Sequence, residues 1–179
     1  MTRVYLSLGT NLGERRKNLQ LALLEISRLP GTRVIKSSSI YKTDPVLPPG
    51  SSPQPDYFNQ AVEIETRLAP PALLGRLLEI EKKLGRIRGR KNASRMIDID
   101  IVYYGRKILA QKGLAIPHPR ASERRFVLRP LCELDPRLLD PVRLKTVEEL
   151  LKTAPADQKI RKLPEGRIPK STRVKFPLT

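Results

Sequence analysis

Between Ile97 and Val102 apolar and acidic side chains alternate without a break: Ile97, Asp98, Ile99, Asp100, Ile101. A period of two is the signature of a strand with one buried face, so the isoleucines face a core and the two aspartates share the other side. Asp is a poor strand former, and two of them on the strongest strand of the chain are locally inconsistent with it. A solvated strand face is the ordinary explanation of an Asp-x-Asp pair. The other is function: carboxylates with Cα atoms roughly 7 Å apart can converge on one divalent cation or bridge two.

Around that strand the chain punctuates itself. Residues 4–8 read as a strand, and Gly9-Thr10-Asn11-Leu12-Gly13 as a turn. Asn11 followed by Glu14 predicts a capping box for a helix to about residue 29, with Leu19, Ala22, Leu23 and Ile26 on one stripe and Pro30-Gly31 as its stop. Residues 32–42 are β-rich. Residues 57–68 alternate as a strand, and Pro70-Pro71 opens a helix to about residue 84. Beyond Gly105 come a short hairpin, a Pro117-His118-Pro119 turn and helices near 123–132 and 147–152. The order β-α-β-β-α-β predicts an α+β, ferredoxin-like fold: an antiparallel sheet backed by helices, with additional C-terminal elements. Residues 1–156 form one domain in this reading. Residues 157–179 are a basic, proline-containing tail, either solvated or an added edge strand at 171–178.

Two loops stand out. Residues 43–56 carry five prolines, and residues 85–95 are loaded with Arg and Lys. Long loops inside a compact domain are often functional. The formal charge of +17 predicts attraction to polyanions, and the second loop suits nucleic acid as well as nucleotide. Arg and Pro enrichment is also a habit of heat-stable proteins. Gly9 to Gly13 lacks the Gly-Lys-Ser/Thr of a Walker loop, so that turn is structural. The lone cysteine, Cys132, excludes an internal disulfide and reads as a small hydrophobe rather than a nucleophile. No apolar run reaches membrane-spanning length, and the N-terminus lacks a signal-peptide pattern, so a cytoplasmic location is expected. His118 is held between two prolines, and Tyr57 and Phe126 offer either core packing or a flat slot for an aromatic ligand.

Taken together, Gly9-Thr10-Asn11-Leu12-Gly13, Tyr41-Lys42-Thr43-Asp44-Pro45, Tyr57-Phe58-Asn59, Ile80-Glu81-x-x-Leu84-Gly85-Arg86, Arg95-Met96-Ile97-Asp98-Ile99-Asp100-Ile101 and Ile116-Pro117-His118-Pro119-Arg120-x-x-Glu123-Arg124-x-Phe126 resemble, in order, the 6-hydroxymethyl-7,8-dihydropterin pyrophosphokinases. The resemblance spans roughly residues 3–153. It implies transfer of pyrophosphate from ATP to the pterin hydroxymethyl group in folate biosynthesis, with attack on the β-phosphorus and release of AMP. It also implies two Mg²⁺ ions on Asp98 and Asp100. Arg86 and Arg95 would be the catalytic arginines. Thr43, Val46, Tyr57, Asn59 and Phe126 would hold the pterin; Leu74, Glu81, Arg88, Ile101, His118 and Arg124 would serve ATP. Where relatives often carry Trp-Gly-Pro before the catalytic Arg, this chain has Asn92-Ala93-Ser94. The partners implied are small molecules, without nucleic acid or membrane, acting on a monomer. The rival reading, an RNA-binding ferredoxin-like module, lacks the aromatic-rich sheet such modules use: aromatics are 4% of the chain, and an acidic pair repels phosphodiesters.

Overall fold

The computed structural model describes residues 1–45, 50, 52–86, 94–156 and 158–164. Its central strand is β1 (Thr2–Thr10), paired antiparallel on one side with β4 (Tyr57–Thr66) and on the other with β5 (Asp98–Tyr104). The outer edge of β4 is shared by β2 (Thr32–Ser37), which pairs its C-terminal half, and β3 (Tyr41–Thr43), which pairs Tyr57 to Asn59. With helix α1 (Arg15–Ser27) between β1 and β2, and α2 (Pro70–Lys83) between β4 and β5, this is the expected ferredoxin-like α+β order.

One face of the sheet is a hydrocarbon core. Val4, Leu6 and Leu8 of β1 and Ile99 and Ile101 of β5 pack under Leu19, Ala22 and Ile26 of α1 and Leu73, Leu77 and Ile80 of α2. Each buried Leu or Ile contributes about 1.5–3 kcal/mol by leaving water, which is why the alternation of β5 is obeyed. On α2 the buried positions 73, 77, 80 and 81 follow the helical period, and prolines occupy its first turn, where a missing N–H costs nothing.

The opposite face is only partly covered. Helix α3 (Arg125–Leu134) and helix α4 (Val147–Thr153) lay Val127, Leu128, Leu131, Val147 and Leu150 on Tyr5, Ala61 and Tyr103. A Thr146–Glu149 capping box starts α4. Two small hairpins, β6 (Leu109–Gln111) with β7 (Leu114–Ile116) and β8 (Leu139–Asp140) with β9 (Lys145–Thr146), lead into these helices. No helix among the described residues is long and apolar enough to cross a membrane.

The expected capping box of α1 is not there. The helix begins at Arg15 behind Glu14, without a side-chain cap. Gly13 turns the chain at φ 61°, and the backbone N–H of Asn11 donates to the Arg95 carbonyl, so Asn11 is drawn to a different partner. The first turn is tied down instead by Asn18, whose amide donates to the carbonyls of Leu12 and Met96. In the C-terminal segment an edge strand forms at β10 (Ile160–Lys162), antiparallel to β3. Residues 171–178 lie outside the described residues.

Candidate active site

Strand register lines up the uncovered part of the sheet. Tyr41, Asn59, Gly9 and Asp98 are successive partners across β3, β4, β1 and β5. Paired residues project to the same side, so the expected pterin residues Asn59, Tyr57 and Thr43 and the acidic pair share one face. Gly9, without a side chain, leaves the floor between Asn59 and Asp98 low; a Cβ there would meet Asn59 Oδ1 at 3.5 Å. Thr43 and Asn59 are both buried, and the Asn59 amide donates to Thr43 Oγ1 at 2.8 Å.

At the β5 end, charge is concentrated. Asp98 receives Arg86 Nη1 on Oδ1 at 2.6 Å and Arg95 Nη1 on Oδ2 at 2.5 Å. Arg86 also pairs with Glu81 of α2, a residue only 2% exposed. The other Glu81 oxygen accepts the backbone N–H of Ile99 at 2.7 Å, so one buried carboxylate fixes both Arg86 and the strand that carries the aspartates. Burial pushes the Glu81 carboxyl up to about 7, against the opposing pull of the Ile99 N–H and Arg86. Burial and then the neighbouring Asp98 lift Asp100 to about 6, while Arg124, Arg86 and Arg95 act to lower it. A site that raises one carboxyl by burial and by its neighbour, and sets cations around the pair, is arranged for additional positive charge and for anions together.

His118 and Arg124 close the other side. The Ile101–Val102 stretch carries an irregularity, because the register against β1 shifts between Tyr5 and Leu6 and leaves Val102 without a partner. The carbonyl of that extra residue accepts the His118 N–H at 3.0 Å, drawing the Pro-His-Pro turn alongside β5. Burial, followed by Arg124, lowers the His118 pKa and favours the neutral ring. Arg124 feels both aspartates, and its guanidinium lies 5.5 Å from the centre of the Phe126 ring. It therefore joins the acidic pair to the aromatic residue expected to stack on a pterin. Phe126 and Tyr57 are both half-buried, the first at the start of α3 and the second beside Thr43, with its hydroxyl on Gln54 at 3.4 Å.

Two expected nucleotide residues face the core instead of the open side. The Ile101 side chain is 4% exposed in the main cluster, and Leu74 packs against that cluster from α2. Val46 and Arg88 lie outside the described residues.

Sequence reasoning missed Asn11. Its side-chain amide donates to Gln54 Oε1 at 3.2 Å, Ser94 Oγ at 3.2 Å and the Pro55 carbonyl at 3.4 Å, while its oxygen accepts the Arg95 N–H at 2.8 Å. A single buried amide thus ties the end of the 43–56 loop and the end of the cationic loop to the tip of β1. Arg15 supports the same corner, stacking 4.3 Å over Phe58 and donating to the Asp56 carbonyl at 2.8 Å.

Comparison with known proteins identifies the family and the fold. The family model described as 7,8-dihydro-6-hydroxymethylpterin-pyrophosphokinase matches residues 5–136. The 2-amino-4-hydroxy-6-hydroxymethyldihydropteridine pyrophosphokinase of Haemophilus influenzae is 40% identical over 163 residues, covering 91% of this chain and 99% of that one. The enzyme of the same name from Synechocystis sp. is 43% identical over 144 residues, 80% of this chain and 72% of the relative. A longer relative, the folic acid synthesis protein fol1 of Pneumocystis carinii, is 43% identical over 139 residues, a stretch that spans only 18% of its length. Among solved structures, wild-type HPPK-DHPS of Plasmodium falciparum with pterin and p-hydroxybenzoate shares the fold at a TM-score of 0.65 and 18% identity, over 84% of this chain and 41% of that one.

Proposed function

The chain belongs to the 7,8-dihydro-6-hydroxymethylpterin-pyrophosphokinase family, and from that premise we propose how its residues carry out the reaction for which the family is named. It transfers the terminal diphosphoryl group of ATP to the hydroxymethyl oxygen of 6-hydroxymethyl-7,8-dihydropterin, a step of folate biosynthesis. The pterin oxygen bonds to the β-phosphorus, the bond from that phosphorus to the α–β bridging oxygen breaks, and AMP leaves. The observation that carries this reading is the juxtaposition of Asp98 and Asp100 with the guanidinium groups of Arg86, Arg95 and Arg124 on one face of the sheet.

Thr43, Asn59 and the segment holding Val46 bind the pterin edge, with Tyr57 and Phe126 on its faces. Arg86, Arg88, Arg95, His118 and Arg124 take the phosphates. Leu74 and Ile101 bound the nucleotide pocket from the core side, so Ile101 contributes through its backbone. Glu81 and Asn11 position Arg86 and Arg95 rather than touching substrate. Transfers of this kind need no nucleophilic side chain, since placement and charge neutralisation carry them.

Asp98 and Asp100 would hold two Mg²⁺ ions. Among the described residues no group of three or more His, Cys, Asp or Glu could hold a metal, so a cation on this pair needs phosphate oxygens and water as its remaining ligands. That donor set, hard oxygens with few protein ligands, is the one magnesium prefers beside polyphosphate. Magnesium bound there polarises phosphate oxygens and offsets their charge. The acidic centre of the face and the deep amide floor favour small-molecule substrates over nucleic acid, and we read the chain as a cytoplasmic monomer.

The test is a product assay. ATP, Mg²⁺ and the hydroxymethyl-dihydropterin together should yield AMP and a pterin diphosphate in equal amounts. ADP as the nucleotide product, or AMP release indifferent to the pterin, would contradict the reading.

A further inference from the structure

At the far edge of the sheet from the aspartates lies a cavity of about 270 Å³, lined by Tyr41 of β3, Arg125 and Arg129 of α3, and Ile160 and Lys162 of β10. It contains neither the acidic pair and its arginines nor the expected pterin residues, although Tyr41 stands in register with Asn59. In the strand order β10-β3-β4-β1-β5, β3 stands three strand spacings from β5, roughly 14 Å. Three of the five lining residues are cations and none is acidic.

Each cation is positioned by one end and has donors to spare. Arg125 Nη1 donates to the carbonyls of Leu151 and Ala154, both at 3.3 Å, which anchors its guanidinium on the end of α4. Arg129 lies near enough to the Tyr41 hydroxyl to act on its ionisation, and Lys162 reaches Glu133 at 3.4 Å. An arginine has five N–H donors and a lysine three, so most of this capacity remains. Among the described residues no carboxylate lies within ion-pair reach of Arg125 or Arg129. The nearby Glu133 is already engaged by Tyr41 Oη at 2.5 Å and by the Ser39 N–H and hydroxyl at 3.1 and 2.8 Å. Arg125 and Arg129 are four residues apart on one helix, a spacing at which like charges repel. Bringing them together with Lys162 over a concave surface focuses positive potential on the space between.

We propose that this cavity is a second anion site, which binds the phosphate group of a small molecule between α3 and the C-terminal edge strand. Guanidinium forks match phosphate oxygens bidentately, and Lys162 supplies a point charge from the opposite wall. The phosphate comes from a free inorganic anion or from a nucleotide, and β10 is what makes the site, because it contributes both Ile160 and Lys162.

The experiment is an amide NMR titration of the full chain with inorganic phosphate, diphosphate and AMP, at ionic strength held constant with chloride. Saturable shifts at Tyr41, Arg129, Ile160 and Lys162 are expected, separable from those around residues 95–100 and 124–126. Tightest binding of AMP identifies a nucleotide source; tightest binding of phosphate or diphosphate identifies a free anion. Arg129→Gln and Lys162→Gln, both at exposed positions, should each weaken this binding about threefold to tenfold while leaving pterin-dependent turnover within twofold. Shifts confined to 95–100, shifts that never saturate, or affinity unchanged in both variants would overturn the proposal.

Discussion

The two faces of β5 are built from the same seven-residue strand and obey different physics. Ile99 and Ile101 point into hydrocarbon, where any apolar side chain of the right volume serves and the pattern alone specifies the outcome. Asp98 and Asp100, one residue along, sit in a network where each group depends on particular partners: Arg86 through Glu81, Arg95 through Asn11, Arg124 beside Phe126. The first face stabilises the fold. The second is strained electrostatically, with burial and then Asp98 lifting Asp100 to about 6, and such tension is expected at functional sites.

That contrast can be broken from either side. On the hydrocarbon face, Leu6→Ala on the central strand should cost about 2–5 kcal/mol of stability, with turnover per folded molecule within about twofold. Urea unfolding beside an activity titration measures both, and a large loss of turnover in the folded fraction would show that the faces are not separable.

Glu81 lies between them, and its pH behaviour sharpens the division. Its folded pKa, about 7, is above the ordinary 4.5, so its contribution is fully present below pH 4.5 and is lost as pH rises through 7. The span corresponds to roughly 3 kcal/mol. Glu81→Gln should remove that share of the slope when stability is compared at pH 5 and pH 8, while slowing turnover through the loosened Arg86. Identical slopes in the two proteins would mean that Glu81 is not a strained buried acid.

The smallest effect is expected at the aromatic residue. Phe126→Ala should weaken pterin binding by about 1–3 kcal/mol and leave the affinity for an ATP analogue nearly unchanged. Equal loss for both ligands together with lowered stability would assign Phe126 to the core.

How much of this was legible follows the same division. The strand of alternating isoleucines, the helix opened by Pro70 and the ferredoxin-like order were readable because hydrophobic period and proline stereochemistry are local. The aspartates were noticeable because they contradict strand propensity. Asn11 was misread, since Asn-x-x-Glu before an apolar run looks the same whether the asparagine caps a helix or bonds residues more than eighty positions away. The inward turn of Glu81 depends on how α2 docks on β5, and β10 is a three-residue strand whose partner lies across the fold, so neither leaves a periodic signal.

The most direct test is Asp100→Asn, assayed for stability and for pterin-dependent AMP release in the same preparation. Removing a carboxylate that is buried beside Asp98 should leave stability at pH 8 unchanged or higher, because the cost of burying the charge and the like-charge repulsion both disappear. Turnover should fall on the order of a thousandfold or more, about 4 kcal/mol, if Asp100 organises metal and phosphate as proposed. Turnover within tenfold of the wild type at saturating Mg²⁺, in a protein of undiminished stability, would contradict the assignment of this face to catalysis.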